Sequence, residues 1–202
     1  MQRTARSKTA FLRLMQRIRV PIGFLMGPLM LLSATPTWNS IAIGGVIAII
    51  GLAIRGWASG HLLKNESLAT TGPYAYTRNP LYLGTLVMGA GVAIGAGTLW
   101  FTLLFVLLYL LVYTPVMIAE AATMSELFPQ GYDRYRENVP LLFPRLTPWE
   151  GGASRSDRPE DDLKPAFDLS RYLRHREYRA AIGLIVVIGL LVAKLLLVTS
   201  KK

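Results

Sequence analysis

Residues 72–84 contain a dense group of side chains that could bind a ligand at a membrane surface. The segment reads GPYAYTRNPLYLG and leads into a long apolar stretch. Pro73 and Pro80 fix their own φ angles and favour extended geometry in the residue before each, so the segment should be rigid. Arg78 lies where the chain re-enters the apolar stretch, a depth at which charged side chains are costly and often functional. The alternative interpretation is that the Arg78 side chain only extends to the lipid headgroups and contributes to the positive-inside rule, without a functional role.

A second polar group follows the next two apolar stretches. Glu120 ends the second of them, and apolar residues such as Met124 continue its helical periodicity toward the 72–84 segment. An acid and an arginine at the same membrane depth, Glu120 and Arg78, are therefore expected to be neighbours. Tyr132 and Tyr135 come next, and by themselves they indicate an aromatic belt at the membrane interface.

Composition restricts the chemistry further. The sequence has no cysteine and two histidines, which excludes a disulfide framework, a thiolate nucleophile and a cysteine- or histidine-rich metal site, so no metal is expected. Hydrophobic residues make up 52% of the chain and charged residues 17%, which is typical of a membrane protein. A net charge of +10 could indicate nucleic acid, but the basic residues flank apolar stretches, so no nucleic-acid partner is expected.

The apolar stretches predict an all-α fold, a polytopic transmembrane helical bundle of about five spans. At about 1.5 Å per residue, such stretches suit a hydrocarbon layer of about 30 Å. A Gly-Thr corner separates the third and fourth spans, which must form a helical hairpin, and glycines in the second and third would let helices approach closely. The first span is expected to be retained and not cleaved as a signal peptide. The spans are predicted at about 18–34, 40–57, 81–97, 99–119 and 181–198.

The distribution of lysine and arginine predicts the orientation. Almost all of them lie in segments 1–19, 58–79 and 120–180, while the corners at 35–39 and 97–98 have none. Since cytoplasmic loops carry the excess, we expect an integral protein of a bacterial inner (plasma) membrane with a cytoplasmic N-terminus, surrounded by membrane lipids. A cytoplasmic polar segment closes the site, and the oligomeric state stays open. The predicted parts are a membrane-embedded core at 1–149, a flexible linker at 150–165, and an interfacial helix with the fifth span at 166–202.

The two polar groups, in this order and with a helical hairpin between them, resemble the isoprenylcysteine carboxyl methyltransferase and phospholipid methyltransferase superfamily of integral membrane enzymes. The resemblance extends from about Arg55 to Arg145. The chain differs from the family signatures at Asn79, where the carboxyl methyltransferases usually have histidine, and at Ala121 and Pro129, which replace a glutamate and a glycine. It also has Asn138 where the family usually has arginine. An Asn-Pro-x-Tyr variant is similar to the phospholipid N-methyltransferase branch, so the acceptor stays open.

The resemblance implies methyl transfer from S-adenosylmethionine to a lipophilic acceptor that enters from the bilayer. The acceptor could be the carboxylate of a prenylated cysteine-like compound, a lipid amine or a thiol. Such a displacement requires mainly alignment of two partners and exclusion of water. The implied catalytic residues are Arg78, whose planar guanidinium suits a carboxylate, and Glu120, which would hold the cationic part of the cofactor. The implied cofactor-binding residues are Tyr74, Asn79, Tyr82, Glu120, Tyr132 and Tyr135, and the implied substrate-binding residues are Arg55, His61 and Arg145.

Other interpretations are possible for some of these residues and for the protein as a whole. His61 at a helix end is typical of a surface or capping residue, and Arg145 is also explained as an ordinary cytoplasmic charge. A membrane NADPH-dependent reductase of the sterol or steroid type has a similar topology, and NADPH binding would distinguish it. A non-enzymatic transporter or scaffold would place Arg55, Arg78 and Glu120 along a pathway. Against it, the chain has no internal repeat, and its polar residues gather at one membrane face.

Overall fold

A computed structural model describes residues 21–61, 68–151, 172–173 and 176–200, apart from the side chain of Gln130. Within these residues every regular element is a helix and no strand occurs. A short 3-10 helix, Gly72–Ala75, lies between the second and third α-helices. The α-helices are α1 (Pro21–Ser33), α2 (Trp38–His61), α3 (Pro80–Gly95), α4 (Leu99–Leu127), α5 (Pro129–Asn138) and α6 (Tyr178–Thr199).

The predicted helical bundle is confirmed. By length and composition α2, α4 and α6 can cross a membrane, and α1 and α3 are shorter apolar helices. Each of the five predicted spans therefore corresponds to a helix, although not every helix is long enough to cross unaided. Of the linker predicted at 150–165, residues 152–165 lie outside the described residues, and so does most of the predicted interfacial helix.

The most extensive contact of the bundle joins α2 to α3. A Cβ atom at Gly51 would lie 2.7 Å from the carbonyl oxygen of Gly84, and one at Gly91 would lie 2.6 Å from that of Gly44. The absence of side chains at these positions lets the two backbones touch. In lipid, where apolar burial gives little drive between helices, such close packing is a main source of association. This contact fixes the end of α2 beside the start of α3.

The far end of the bundle is closed by hydrogen bonds between two corners. Gly97, with a φ of +74°, makes the turn from α3 to α4. The corner between α1 and α2 packs against it, since Thr35 N donates to Ala96 O at 2.9 Å and Thr98 Oγ1 donates to Ser33 O at 2.9 Å. These bonds satisfy backbone hydrogen-bonding groups at this end. The residues whose side chains could do chemistry lie at the opposite end of the bundle.

Helix α4 is longer than a membrane span requires. Its 29 residues extend about 43 Å at about 1.5 Å per residue, so its last turns continue past a hydrocarbon layer of about 30 Å. Those turns carry Glu120 and Met124 beyond the spans. Helix α5 then begins at Pro129 and turns back, burying Tyr132 and Tyr135 against Met124.

Candidate functional site

A cavity of about 610 Å³ lies where α2 ends and α3 begins, bordered by the ends of α4 and α5. Its size is within the usual range for small-molecule sites, roughly 300–1,000 Å³. Of the residues predicted for the site, His61 and Arg145 are not in the lining. The other predicted residues all line it, namely Arg55, Tyr74, Arg78, Asn79, Tyr82, Glu120, Tyr132 and Tyr135.

The polar segment at 74–79 is held in place by the chain that follows α5. Arg78 N donates to Pro140 O at 3.0 Å, and Arg145 N donates to Tyr76 O at 3.0 Å. The Asn79 side chain adds a third bond, from Nδ2 to Leu141 O at 2.9 Å. Asn79 therefore lines the cavity while its amide nitrogen fastens the segment. The rigidity predicted from the two prolines has a second source in these contacts.

Arg78 keeps hydrogen-bonding capacity for a ligand. One terminal nitrogen is 3.3 Å from the Tyr132 hydroxyl, while Nε is buried with no partner among the described residues. A buried donor without an acceptor costs about 1–3 kcal/mol, so this nitrogen is a candidate donor once the side chain adjusts to a bound molecule. Arg78 suits an anionic group because its fork can donate two parallel bonds.

Arg55 also lines the cavity, but its donors are already used. Its Nε donates to Glu177 Oε2 at 3.0 Å, and its second terminal nitrogen lies 2.9 Å from both Glu177 oxygens. The first terminal nitrogen contacts Thr85 Oγ1 and the carbonyl oxygen of Leu81. Since a guanidinium has five N–H donors, little capacity is left for a substrate. The predicted substrate contact of Arg55 finds no support in this arrangement and stays a prediction.

Tyr82 of α3 and Tyr113 and Glu120 of α4 line one part of the cavity. Tyr82 donates from its hydroxyl to Glu120 Oε1 at 2.7 Å, which confirms that the 72–84 segment and the end of α4 are neighbours. Tyr113 packs beside Tyr82, with ring centroids 5.6 Å apart, and stacks on Tyr109 at 4.3 Å. Glu120 itself is exposed, so its carboxylate is accessible from the polar layer.

Two of the tyrosines that line the cavity, Tyr74 and Tyr135, are buried. The Tyr135 hydroxyl donates to Tyr74 O at 2.7 Å. Burial raises the pKa of the Tyr74 phenol above its ordinary value, and the carboxylates of Glu177 and Glu120 raise it further. Burial likewise raises the pKa of Tyr135. Both phenols therefore stay protonated at neutral pH, and neither is a base.

Tyr135→Phe tests this buried bond. Removing the hydroxyl leaves the Tyr74 carbonyl without its partner, and we expect a loss of about 1–2 kcal/mol in the free energy of unfolding. Thermal unfolding in detergent measures the change. Tyr178→Phe is the control because Tyr178 is 40% exposed and lies outside the cavity. Equal stability of the two variants would contradict a stabilising role for the hydrogen bond between Tyr135 and Tyr74.

His61 and Arg145 occupy other places. His61 Nδ1 lies 2.9 Å from Trp57 O in the same helix, and its ring packs beneath Gly72, whose φ is +59°. Arg145 donates to Asn138 O at 3.0 Å. Both residues support the segments around the cavity, and their predicted contacts with the acceptor stay predictions.

Some lining residues were absent from the sequence prediction. Tyr113 precedes Glu120 by seven residues on α4, so helical periodicity could have placed it on the same face. Thr85 similarly follows the predicted residue Tyr82 by three residues on α3. Glu177 is not in the lining but contacts Arg55, and it could not have been found this way because the two residues are 122 positions apart.

The fold indicates an integral membrane protein, a helical bundle with a cavity lined by polar and aromatic residues at one end. The Phospholipid methyltransferase family matches residues 36–131, which include α2, α3 and α4. Protein-S-isoprenylcysteine O-methyltransferase of Schizosaccharomyces pombe is 26% identical over 142 residues, 68% of this chain and 60% of that protein. These matches support the resemblance to the superfamily of integral membrane methyltransferases.

Two further relatives carry other names. Nickel-cobalt-cadmium resistance protein NccN of Alcaligenes xylosoxydans xylosoxydans is 31% identical over 55% of this chain and 54% of its own length. Cobalt-zinc-cadmium resistance protein CzcN of Cupriavidus metallidurans is 30% identical over 44% of this chain and 40% of its own length. The chain thus spans between 40% and 60% of these curated relatives. No solved structure gives a significant match.

Proposed function

We propose that the protein transfers a methyl group from S-adenosylmethionine to a lipophilic acceptor at the cytoplasmic face of a bacterial inner membrane. The observation that carries the proposal is that Arg78, whose Nε has no partner among the described residues, and Glu120 both line one cavity. One residue suits a carboxylate and the other a cation. The amino-acid part of the proposed cofactor has both charges.

The chemical types of the residues that line the cavity suit this cofactor, and the cavity volume of about 610 Å³ is large enough for it. Arg78 would bind the carboxylate, and Glu120, fixed by the Tyr82 hydroxyl at 2.7 Å, would bind the amino group. Tyr132 contacts Arg78 and would cover the adenosine side. When bound, the cofactor supplies an electrophilic methyl group on a sulfonium sulfur. The chain's part is to align the reactants and to exclude water.

The acceptor would approach from the bilayer. Leu81 and Tyr113 belong to the apolar helices α3 and α4 and line the same cavity as Arg78, so an apolar tail can lie beside them while its head meets the methyl group. Oxygen, nitrogen and sulfur acceptors all fit this description. The names of two relatives suggest a link with metal resistance. In the part of the chain that the structure describes, however, no group of three His, Asp or Glu side chains could hold a metal ion.

Titration with S-adenosylhomocysteine, the product of the proposed cofactor, tests the proposal without knowledge of the acceptor. We expect saturable binding by calorimetry in mild detergent and none with NADPH. Glu120→Gln should weaken it about tenfold, because loss of one charge-assisted hydrogen bond costs roughly 1.5 kcal/mol or more. Glu126→Gln is the control, since Glu126 is exposed on the same helix and outside the cavity. Binding of NADPH in its place would favour the reductase.

A further inference from the structure

Glu177, the residue before α6, contacts the cavity wall although it lies outside the residues that match the family, 36–131. Its carboxylate accepts three hydrogen bonds from Arg55, two at 2.9 Å and one at 3.0 Å. The two side chains are 11% and 21% exposed, respectively. A carboxylate this far from water is costly unless it is paired and hydrogen-bonded. The geometry therefore marks a specific contact and not a chance surface ion pair.

The backbone beside Glu177 has an unusual conformation. Arg176 has a φ of +56°, in the left-handed region, which costs a residue other than glycine roughly 1–2 kcal/mol. Such a conformation persists where the surroundings fix it. The turn also brings Glu177 N to Tyr172 O at 3.4 Å, and the Tyr172 ring lies beside Gly56 of α2. The entrance to α6 is thus shaped so that Glu177 reaches Arg55.

The contact matters for the cavity because Arg55 and Arg78 both line it. Three of the bonds made by Arg55 go to Glu177, so without this carboxylate most of the guanidinium is released. A released guanidinium adds a second unpaired positive charge to the space that Arg78 occupies. The charge of Glu177 also reaches the cavity, since it contributes to the raised pKa of Tyr74.

We propose that Glu177 is a positioning residue of the site. It holds Arg55 against α3, keeps this guanidinium out of the ligand space, and leaves Arg78 as the arginine that binds an anionic group. The segment that enters α6 is then a functional part of the site, although the family match ends before it. The effect on cofactor binding rests on the proposed function above.

A double-mutant cycle tests whether Glu177 acts through Arg55. Binding of S-adenosylhomocysteine is measured for Glu177→Gln, Arg55→Gln and the double variant, with Glu126→Gln as control. We expect Glu177→Gln to raise Kd about tenfold in the natural background and less than about twofold once Arg55 is replaced, because coupled residues are not additive. An equal loss in both backgrounds, or an unchanged Kd for folded Glu177→Gln, overturns the proposal.

A second readout needs no cofactor. The chain has no cysteine, so Leu81→Cys introduces a single thiol at the cavity wall that Arg55 contacts. We expect Glu177→Gln to change the rate of maleimide labelling about threefold or more, and this change to vanish when Arg55→Gln is also present. If the natural protein binds no S-adenosylhomocysteine, the proposed function fails and labelling alone decides the role of Glu177. An unchanged labelling rate in Glu177→Gln then overturns it.

Discussion

Arg78→Ala is expected to raise the Kd for S-adenosylhomocysteine roughly 100-fold, equivalent to about 3 kcal/mol. The physical reason is that Arg78 lines the cavity with a buried Nε that has no partner among the described residues. By contrast, the donors of Arg55 are taken up by Glu177, Thr85 and Leu81. Removal of the Arg78 side chain therefore removes the donors that remain for the carboxylate. Calorimetric titration of purified protein in detergent measures the effect.

Two matched variants separate this role from simple loss of structure. Tyr132→Phe removes the hydroxyl that lies 3.3 Å from Arg78 and leaves the guanidinium in place, so it should weaken binding far less. Arg78→Lys keeps the charge but loses the planar fork, and its Kd should fall between those of the natural protein and Arg78→Ala. The backbone bond from Arg78 to Pro140 survives both Arg78 substitutions. A folded Arg78→Ala protein with unchanged Kd would show that another group binds the ligand.

Most of the helical framework could be predicted because its signals are local. An apolar stretch of membrane length specifies a helix by itself, and each predicted span corresponds to one. The glycine faces of α2 and α3 were likewise visible as periodic small residues, and these helices pack most closely. The lengths of the helices did not follow from the apolar stretches alone, although Met124 was expected to continue the periodicity of the fourth helix beyond Glu120. Helix α3 has 16 residues, whereas α4 continues for 29, because its last turns are stabilised outside the membrane by contacts with α5.

The site could be predicted only where family motifs identified its residues. The 72–84 segment and the end of α4 were expected to be neighbours, and Tyr82 of that segment is hydrogen-bonded to Glu120. The motif could not reveal which arginine has spare donors, because that depends on Glu177, far along the chain. For the same reason His61 looked like a candidate contact, although tertiary packing places its ring under the turn at Gly72. Motifs therefore identified the cavity, and packing decides which side chains remain available in it.

Gly51→Ala is expected to destabilise the protein by about 3 kcal/mol, the upper part of the usual range for an overpacked site. The added Cβ would overlap Met88 N and lie 2.7 Å from Gly84 O. Both are backbone atoms of a helix, so no side-chain rotation can relieve the overlap, and α3 must move away from α2. Arg55, one turn further along α2, would move with it, so S-adenosylhomocysteine binding should weaken as well. Gly45→Ala is the matched control, because a Cβ there meets nothing within 4 Å and alanine favours a helix. Thermal unfolding of both variants decides the matter, since equal midpoints would mean that the glycine contact does not hold α2 and α3 together.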